Sequence, residues 1–166
     1  GIKLLETYNL QYGFNGINLI PSNLYGPNDT FDLNHAHVLS SLVKRIIDAK
    51  ENNDSSITLW GTGIARREFL HVDDFSEAIL YFFENYNSPK SINIGPGTDV
   101  SILELANLIC QKVGYLGEIN WDSSKPDGML RKCMDVTNMK REGFQPNIDL
   151  SEGINQVINS YKNNKI

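Results

Sequence analysis

Ile17-Asn18-Leu19-Ile20 is a mainly apolar run, too short for a helix and bounded by Gly16 and Pro21. Such a run fits a strand buried on both faces, the kind found in parallel sheets covered by helices. A buried strand must pair its backbone N–H and C=O groups along its edges, so it cannot exist without sheet neighbours. Together with the alternation of strand and helix segments along the rest of the chain, it points to the α/β class. The remaining pattern agrees. Val38 to Lys50 places Val38, Leu39, Leu42, Val43, Ile46 and Ile47 at helical offsets, which predicts an amphipathic helix. Ile57 to Trp60 reads as a strand closed by Gly61-Thr62-Gly63, and Glu68 to Val72 as another. Asp73 or Asp74 then caps a helix reaching about Asn85. Ser91 to Ile94 is a short strand ended by Gly95-Pro96-Gly97, and Ser101 with Glu104 forms a capping box opening a helix that stops at Gly114. Ile119 to Trp121 fits an edge strand. Met134 to Gly143 and Leu150 to Tyr161 are expected helices, the second introduced by Asp149 or Ser151.

Leu4, Leu5, Tyr8 and Tyr12 share a helical stripe that Gly13 terminates, yet no Ser, Thr or Asp cap and no Met precede it. A helix already under way at residue 1 predicts a fragment. The 166 residues suffice for one globular domain. A formal charge of -5 removes any general attraction to nucleic acid or an anionic membrane, so neither is an expected partner. No apolar run approaches the roughly 20 residues of a membrane span, and no signal peptide opens the chain. Cys110 and Cys133 are too few and too isolated for a disulfide framework or zinc site, which makes a reducing cytoplasm the expected location.

Within this acidic chain, Lys44-Arg45, Arg66-Arg67 and Lys125 through Arg131-Lys132 concentrate positive charge near turns and helix faces. Guanidinium pairs suit diphosphate oxygens because each offers a two-pronged donor set. On charge alone, ordinary solvated surface remains the stronger explanation. Trp60, at a strand end, offers an indole to a base or sugar, or is simply a rim aromatic. Gly61-Thr62-Gly63 lacks the third glycine of a phosphate-binding fingerprint. His35 and His37 have only His71 as a further histidine and no carboxylate pattern, so no metal site is expected. A single imidazole at a helix entry suits proton transfer near neutral pH, and equally suits no chemistry at all. Pro21-Ser22-Asn23-Leu24 follows a strand end, where ligands bind in open α/β sheets and where turns also occur.

Taken in order, Asn23-Leu24-Tyr25-Gly26-Pro27, His37-Val38, Trp60 through Asp74, Lys125-Pro126-Asp127-Gly128 and Arg131-Lys132 resemble the GDP-L-fucose synthase family of extended short-chain dehydrogenases/reductases. The resemblance covers essentially the whole chain. It implies the C-terminal portion of such an enzyme, the end of a Rossmann-type sheet plus a small substrate-binding α/β domain. Residues 1–33 would be a remnant of the NADP-binding domain and 34–166 mainly the substrate-binding domain, with 91–97 returning to the Rossmann sheet. The implied reaction is epimerisation of GDP-4-keto-6-deoxy-D-mannose at two carbons, then reduction by NADPH. By the family pattern His37 is the acid and also borders the cofactor, and Pro21, Ser22, Asn23 and Leu24 line its nicotinamide end. Arg45, Trp60, Arg67 and Lys132 hold the GDP-sugar. The intact enzyme is expected to be a homodimer. The family's cofactor glycines, Tyr-x-x-x-Lys pair and cysteine base align upstream of Gly1, and neither Cys110 nor Cys133 matches that base. Two other functions compete: a sugar-nucleotide binding module without catalysis, and an epimerase or dehydratase half for another nucleotide sugar.

Overall fold

The computed structural model describes residues 1–163. In chain order come α1 (Ile2–Tyr12), β1 (Leu19–Pro21), β2 (Asn23–Tyr25), α2 (Val38–Asn52) and β3 (Ser56–Trp60). Then follow β4 (Arg66–Arg67), β5 (Phe69–His71), α3 (Val72–Asn85), β6 (Ile92–Ile94) and β7 (Val100–Ser101). The last are α4 (Ile102–Val113), β8 (Glu118–Asp122), β9 (Arg131–Lys132), α5 (Thr137–Arg141) and α6 (Leu150–Asn163). These elements gather into two compact units, each discontinuous in sequence.

The first unit comprises Gly1–Leu24, Glu68–Thr98 and Cys133–Ile148. One of its sheets is the parallel pair β1 and β6, with Leu19 opposite Ile92 and Pro21 opposite Ile94. The core holds Leu70, Ala78, Phe82, Ile92, Ile94, Met139 and Phe144. Phe82 packs edge-on to Tyr86 and tilted to Phe144, at 5.9 and 5.8 Å between centroids. Burying a side chain of that size contributes about 1.5–3 kcal/mol. The buried Asp74 carboxylate accepts the N–H groups of Asn147 and Ile148 at 2.9 and 3.0 Å, which ties α3 to the last segment of the unit. No residue of α1 is buried, and Leu4, Tyr8 and Tyr12 are exposed. Gly13, at φ 64, ends it in the left-handed conformation that glycine tolerates.

Two expectations need correction here. The helix after β5 is capped by His71, not by Asp73 or Asp74, because the chain is already helical at Val72 and the His71 imidazole accepts the Asp73 N–H at 3.2 Å. The helix expected over Met134 to Gly143 is only five residues long. Glu68 holds the Met134 N–H, and Asp135 accepts from the Thr137 N–H at 2.9 Å, so regular helix begins after both commitments.

The second unit comprises Tyr25–Arg67, Asp99–Lys132 and the chain from Asp149 onward. β3 and β8 pair in parallel over five residues, with Trp60 opposite Asp122. α2 packs on α4 and α6. The buried stripe of α2 is Leu39, Leu42, Val43, Ile46 and Ile47. α4 and α6 contribute Leu105, Ile109, Ile154, Val157 and Ile158, all fully or nearly fully buried. The capping box of α4 forms as expected, and Gly114 ends that helix at φ 73. The first turn of α6 is capped by Asp149, which accepts from the Ser151 N–H at 2.8 Å. A three-stranded ribbon, β7-β4-β9, completes the unit, with Arg66 opposite Arg131 and Arg67 opposite Lys132.

Candidate functional site

β3 delivers Trp60 to the surface, where the indole is 69% exposed. Gly61 and Gly63 turn the chain immediately afterwards with φ of 83° and 77°, a conformation costly for any other residue. α4 docks behind this turn: the N–H of Ile102 donates to Ala65 O, and that of Leu103 to Gly63 O, both at 2.9 Å. Two adjoining hollows of the second unit result. The smaller, of about 250 Å³, has Trp60, Arg67, Pro126 and Asp127 in its wall. The larger, of about 340 Å³, is walled by Ala36, Arg45, Leu59, Trp60 and Trp121 among others. Val38, Trp60 and Ile102 line both. Apolar walls with a guanidinium on each side are the chemistry of a site for a flat ring carrying anionic oxygens.

Strand alternation sorts the cations. Side chains opposite one another in a ladder share a face, and neighbours along a strand face opposite ways. Arg66 and Arg131 form one pair, and Asp99, whose side chain is 5% exposed, accepts from both Nε atoms at 2.6 and 2.5 Å. Arg66, then Arg131, hold the Asp99 carboxyl below the usual carboxylate range. Arg67 and Lys132 form the other pair. Arg67 Nη1 donates to the carbonyls of Arg66 and Met129 at 2.8 and 2.6 Å, and no carboxylate pairs with it among the described residues. Arg66 also meets Glu104 at 3.2 Å, so two carboxylates serve Arg66 and Arg131, while Arg67 and Lys132 have no carboxylate partner among the described residues.

Of the residues singled out in the sequence, Arg45, Trp60 and Arg67 are brought together around the two hollows. Lys132 reaches the ribbon face of Arg67 without lining either hollow. His37 is the exposed N-cap of α2, one residue before Val38 of the shared wall, and makes no side-chain capping bond. His35 is engaged elsewhere: its Nδ1 lies 2.9 Å from Asp32. Pro21, Ser22, Asn23 and Leu24 belong to the first unit, at the carboxyl end of β1. Ser22 N–H donates to Ile94 O at 2.9 Å, and the Asn23 amide donates to Glu68 O at 2.6 Å. The Ser22 hydroxyl is buried and has no partner among the described residues. No group of three or more His, Cys, Asp and Glu side chains gathers among the described residues. Nor does any described helix have the length and apolarity to cross a membrane.

Three contributors were not assigned a role in the sequence. Ile102 and Trp121 complete the walls, and Asp99 selects which cations stay available. Ser101-Ile102 carried only a capping signal, and nothing near Asp99 in the chain pointed to arginines more than thirty positions away.

Residues 1–95 match the model of the NAD dependent epimerase/dehydratase family. The chain is 42% identical over 166 residues to a protein of Oryza sativa subsp. japonica named probable GDP-L-fucose synthase 1, covering 100% of this chain and 51% of that protein. It is 42% identical over 163 residues to a GDP-L-fucose synthase of Escherichia coli, covering 93% of this chain and 51% of the relative. A crystal structure of a GDP-L-fucose synthetase from Naegleria fowleri bound to NADP superposes with a TM-score of 0.88 at 26% identity, covering 99% of this chain and 53% of that one. The chain spans about half the length of these relatives.

Proposed function

This chain belongs to the NAD dependent epimerase/dehydratase family, and on that premise we propose that it is the nucleotide-sugar-binding part of an NADPH-dependent enzyme that converts GDP-4-keto-6-deoxy-D-mannose to GDP-L-fucose. The observation that carries this reading is the meeting of Arg45, Trp60 and Arg67 around two adjoining hollows of one unit. The larger hollow, with Leu59, Trp60 and Trp121 in its wall, suits a flat base. Arg67 suits the diphosphate, with Lys132 beside it as a second charge. Similarity to GDP-L-fucose synthases supports guanine as that base.

In this reading His37 is the acid of a 3,5-epimerisation. The C4 ketone acidifies the C–H bonds at its neighbouring carbons, so removal of a proton leaves an enolate. The His37 imidazolium gives its N–H proton to the opposite face of the same carbon, and the imidazole becomes neutral as the new C–H bond forms. The proton is first removed by a base outside these residues. Cys110 does not suit that task, since burial raises its thiol pKa and so disfavours the thiolate.

NADPH, when bound, supplies the hydride that reduces the C4 ketone. Pro21, Ser22, Asn23 and Leu24 fit its nicotinamide end, because they follow the carboxyl end of a parallel strand and the buried Ser22 hydroxyl has a hydrogen-bonding position left for a carboxamide. In this reading the remaining cofactor contacts come from residues beyond this chain, and no reductase activity is assigned to it alone. On the same reading the uncovered Leu4, Tyr8 and Tyr12 of α1 are the homodimer contact of the intact protein, and its location is the cytoplasm. Calorimetric titration with GDP, UDP and ADP tests the reading. The expected result is saturable GDP binding, preferred about tenfold or more, a difference of ~1.4 kcal/mol. Equal affinity for all three, or none, defeats it.

A further inference from the structure

Asp127 stands in the wall of the smaller hollow, yet both of its oxygens are committed to Thr62. Oδ1 accepts the Thr62 N–H and Oδ2 accepts the Thr62 hydroxyl, each at 2.7 Å. Those bonds, the backbone one foremost, keep the carboxyl below its usual pKa. A Cβ at Gly61 would collide with Asp127 Oδ1, so the turn after Trp60 is shaped to admit this carboxylate.

The segment around Asp127 does two things at the site. It lays Lys125 Nζ over the Trp60 ring, 5.7 Å from its centroid, and it presents the Met129 carbonyl to Arg67 Nη1 at 2.6 Å. Its entry is tied to Asp122, which accepts the Ser124 N–H at 3.0 Å on its side chain and the Lys125 N–H at 3.1 Å on its carbonyl. Its exit joins β9. The Asp127–Thr62 pair is the mid-span attachment between them.

Charge alone argues against a carboxylate here, since it repels a bound diphosphate. Its presence at this wall is consistent with a positional role that outweighs that repulsion. We propose that Asp127 is a positioning residue for nucleotide binding: pegged to Thr62, it holds residues 123–130 so that Lys125 stays over Trp60 and Arg67 stays aimed at the hollow. The proposal rests on the assignment of the hollow to a nucleotide diphosphate and deepens it by naming what sets the affinity.

The two ideas give opposite signs. GDP binding is measured by calorimetry on the full chain with Trp121 intact, and Trp60 emission, read in a Trp121→Phe background without GDP, reports only the position of the segment. Asp127→Ala should weaken GDP binding about tenfold, within the usual range of coupling between contacting residues. It should also shift Trp60 emission before GDP is added, because Lys125 leaves the ring. Asp127→Asn keeps an oxygen for the Thr62 N–H and an N–H for the threonine hydroxyl, so it should stay within about threefold of wild type. GDP binding by Asp127→Ala as tight as wild type or tighter overturns the proposal, as does equal loss in the Asn and Ala variants with unmoved emission. If Asp127→Ala does not fold, Thr62→Val, which removes only the hydroxyl bond, decides: unchanged GDP affinity overturns the proposal, and weakened affinity supports it. Absence of GDP binding by the wild-type chain defeats the nucleotide reading instead, while the emission difference between wild type and Asp127→Ala still reports whether the peg holds the segment.

Discussion

Replacing Glu68 by Gln preserves shape and removes charge, and it should destabilise the chain by about 3 kcal/mol. Glu68 is 1% exposed. Its two oxygens are matched to two backbone donors, Oε1 to the Gly97 N–H at 2.6 Å and Oε2 to the Met134 N–H at 2.8 Å. Glutamine offers one acceptor oxygen and turns an NH2 group toward the other N–H. Losing one bond to a charged acceptor costs about 1.5–3 kcal/mol, and stranding a buried donor about 1–3 kcal/mol, with small backbone shifts relieving part of the total. Denaturant titration measures the loss, and amide exchange at Gly97 and Met134 localises it. One of those amides should lose protection on the order of 100-fold, the equivalent of ~3 kcal/mol. A Gln variant within about 0.5 kcal/mol of wild type, with both amides still protected, would refute the reasoning. The consequence reaches β2, because the main-chain oxygen of Glu68 also anchors the Asn23 side chain.

Trp60→Ala should weaken GDP binding by about 1–3 kcal/mol, the worth of one base stack, with little change in melting temperature because the ring is so exposed; an unaltered affinity by calorimetry removes the indole from the site. Asp99 has a depressed carboxyl pKa, so its contribution to stability is full above the unfolded value of about 3.9 and is lost as pH falls through the lower folded value. The melting-temperature advantage of wild type over Asp99→Asn should therefore be constant between about pH 7 and 5 and shrink only below about pH 4; disappearance between pH 7 and 5 would contradict the pairing. Gly153→Ala gains helix propensity of about 1 kcal/mol but drives a methyl into the Tyr25 ring, whose Cε2 and Cζ would lie 2.8 Å away. The clash should win, with a net loss of about 1–2 kcal/mol, and a raised melting temperature would show that Tyr25 yields freely.

Long periodic segments were legible in the sequence because their burial follows a single period. α2 appears from Val38 through Asn52 with the expected stripe inward except for the exposed Val38, and α4 starts on its Ser101 capping box. The two- and three-residue strands β2, β4, β7 and β9 were not, since nothing so short displays alternation; they exist because partners distant in sequence supply their hydrogen bonds. The cap of α3 was misplaced onto acidic residues because a histidine acceptor is an uncommon N-cap. At the site, Arg45, Trp60 and Arg67 were legible as residue types and through the family resemblance, whereas their meeting was not. Their convergence depends on α2, β3 and β4 packing within one unit. Arg66 and Arg67 look equivalent in the chain, and strand alternation separates them, giving one to Asp99 and leaving the other without a carboxylate partner among the described residues.

Heteronuclear NMR of the labelled chain during GDP titration probes the nucleotide site at the level of single side chains. The indole N–H of Trp60 and the guanidinium N–H groups of Arg45 and Arg67 should shift together and saturate together. The distant hollow of the same unit, bordered by Lys50, Asn53 and Leu116, should stay silent. Shifts confined to that second hollow, or none at any of the three side chains at saturating GDP, would contradict the assignment of the Trp60 cleft to a GDP-sugar.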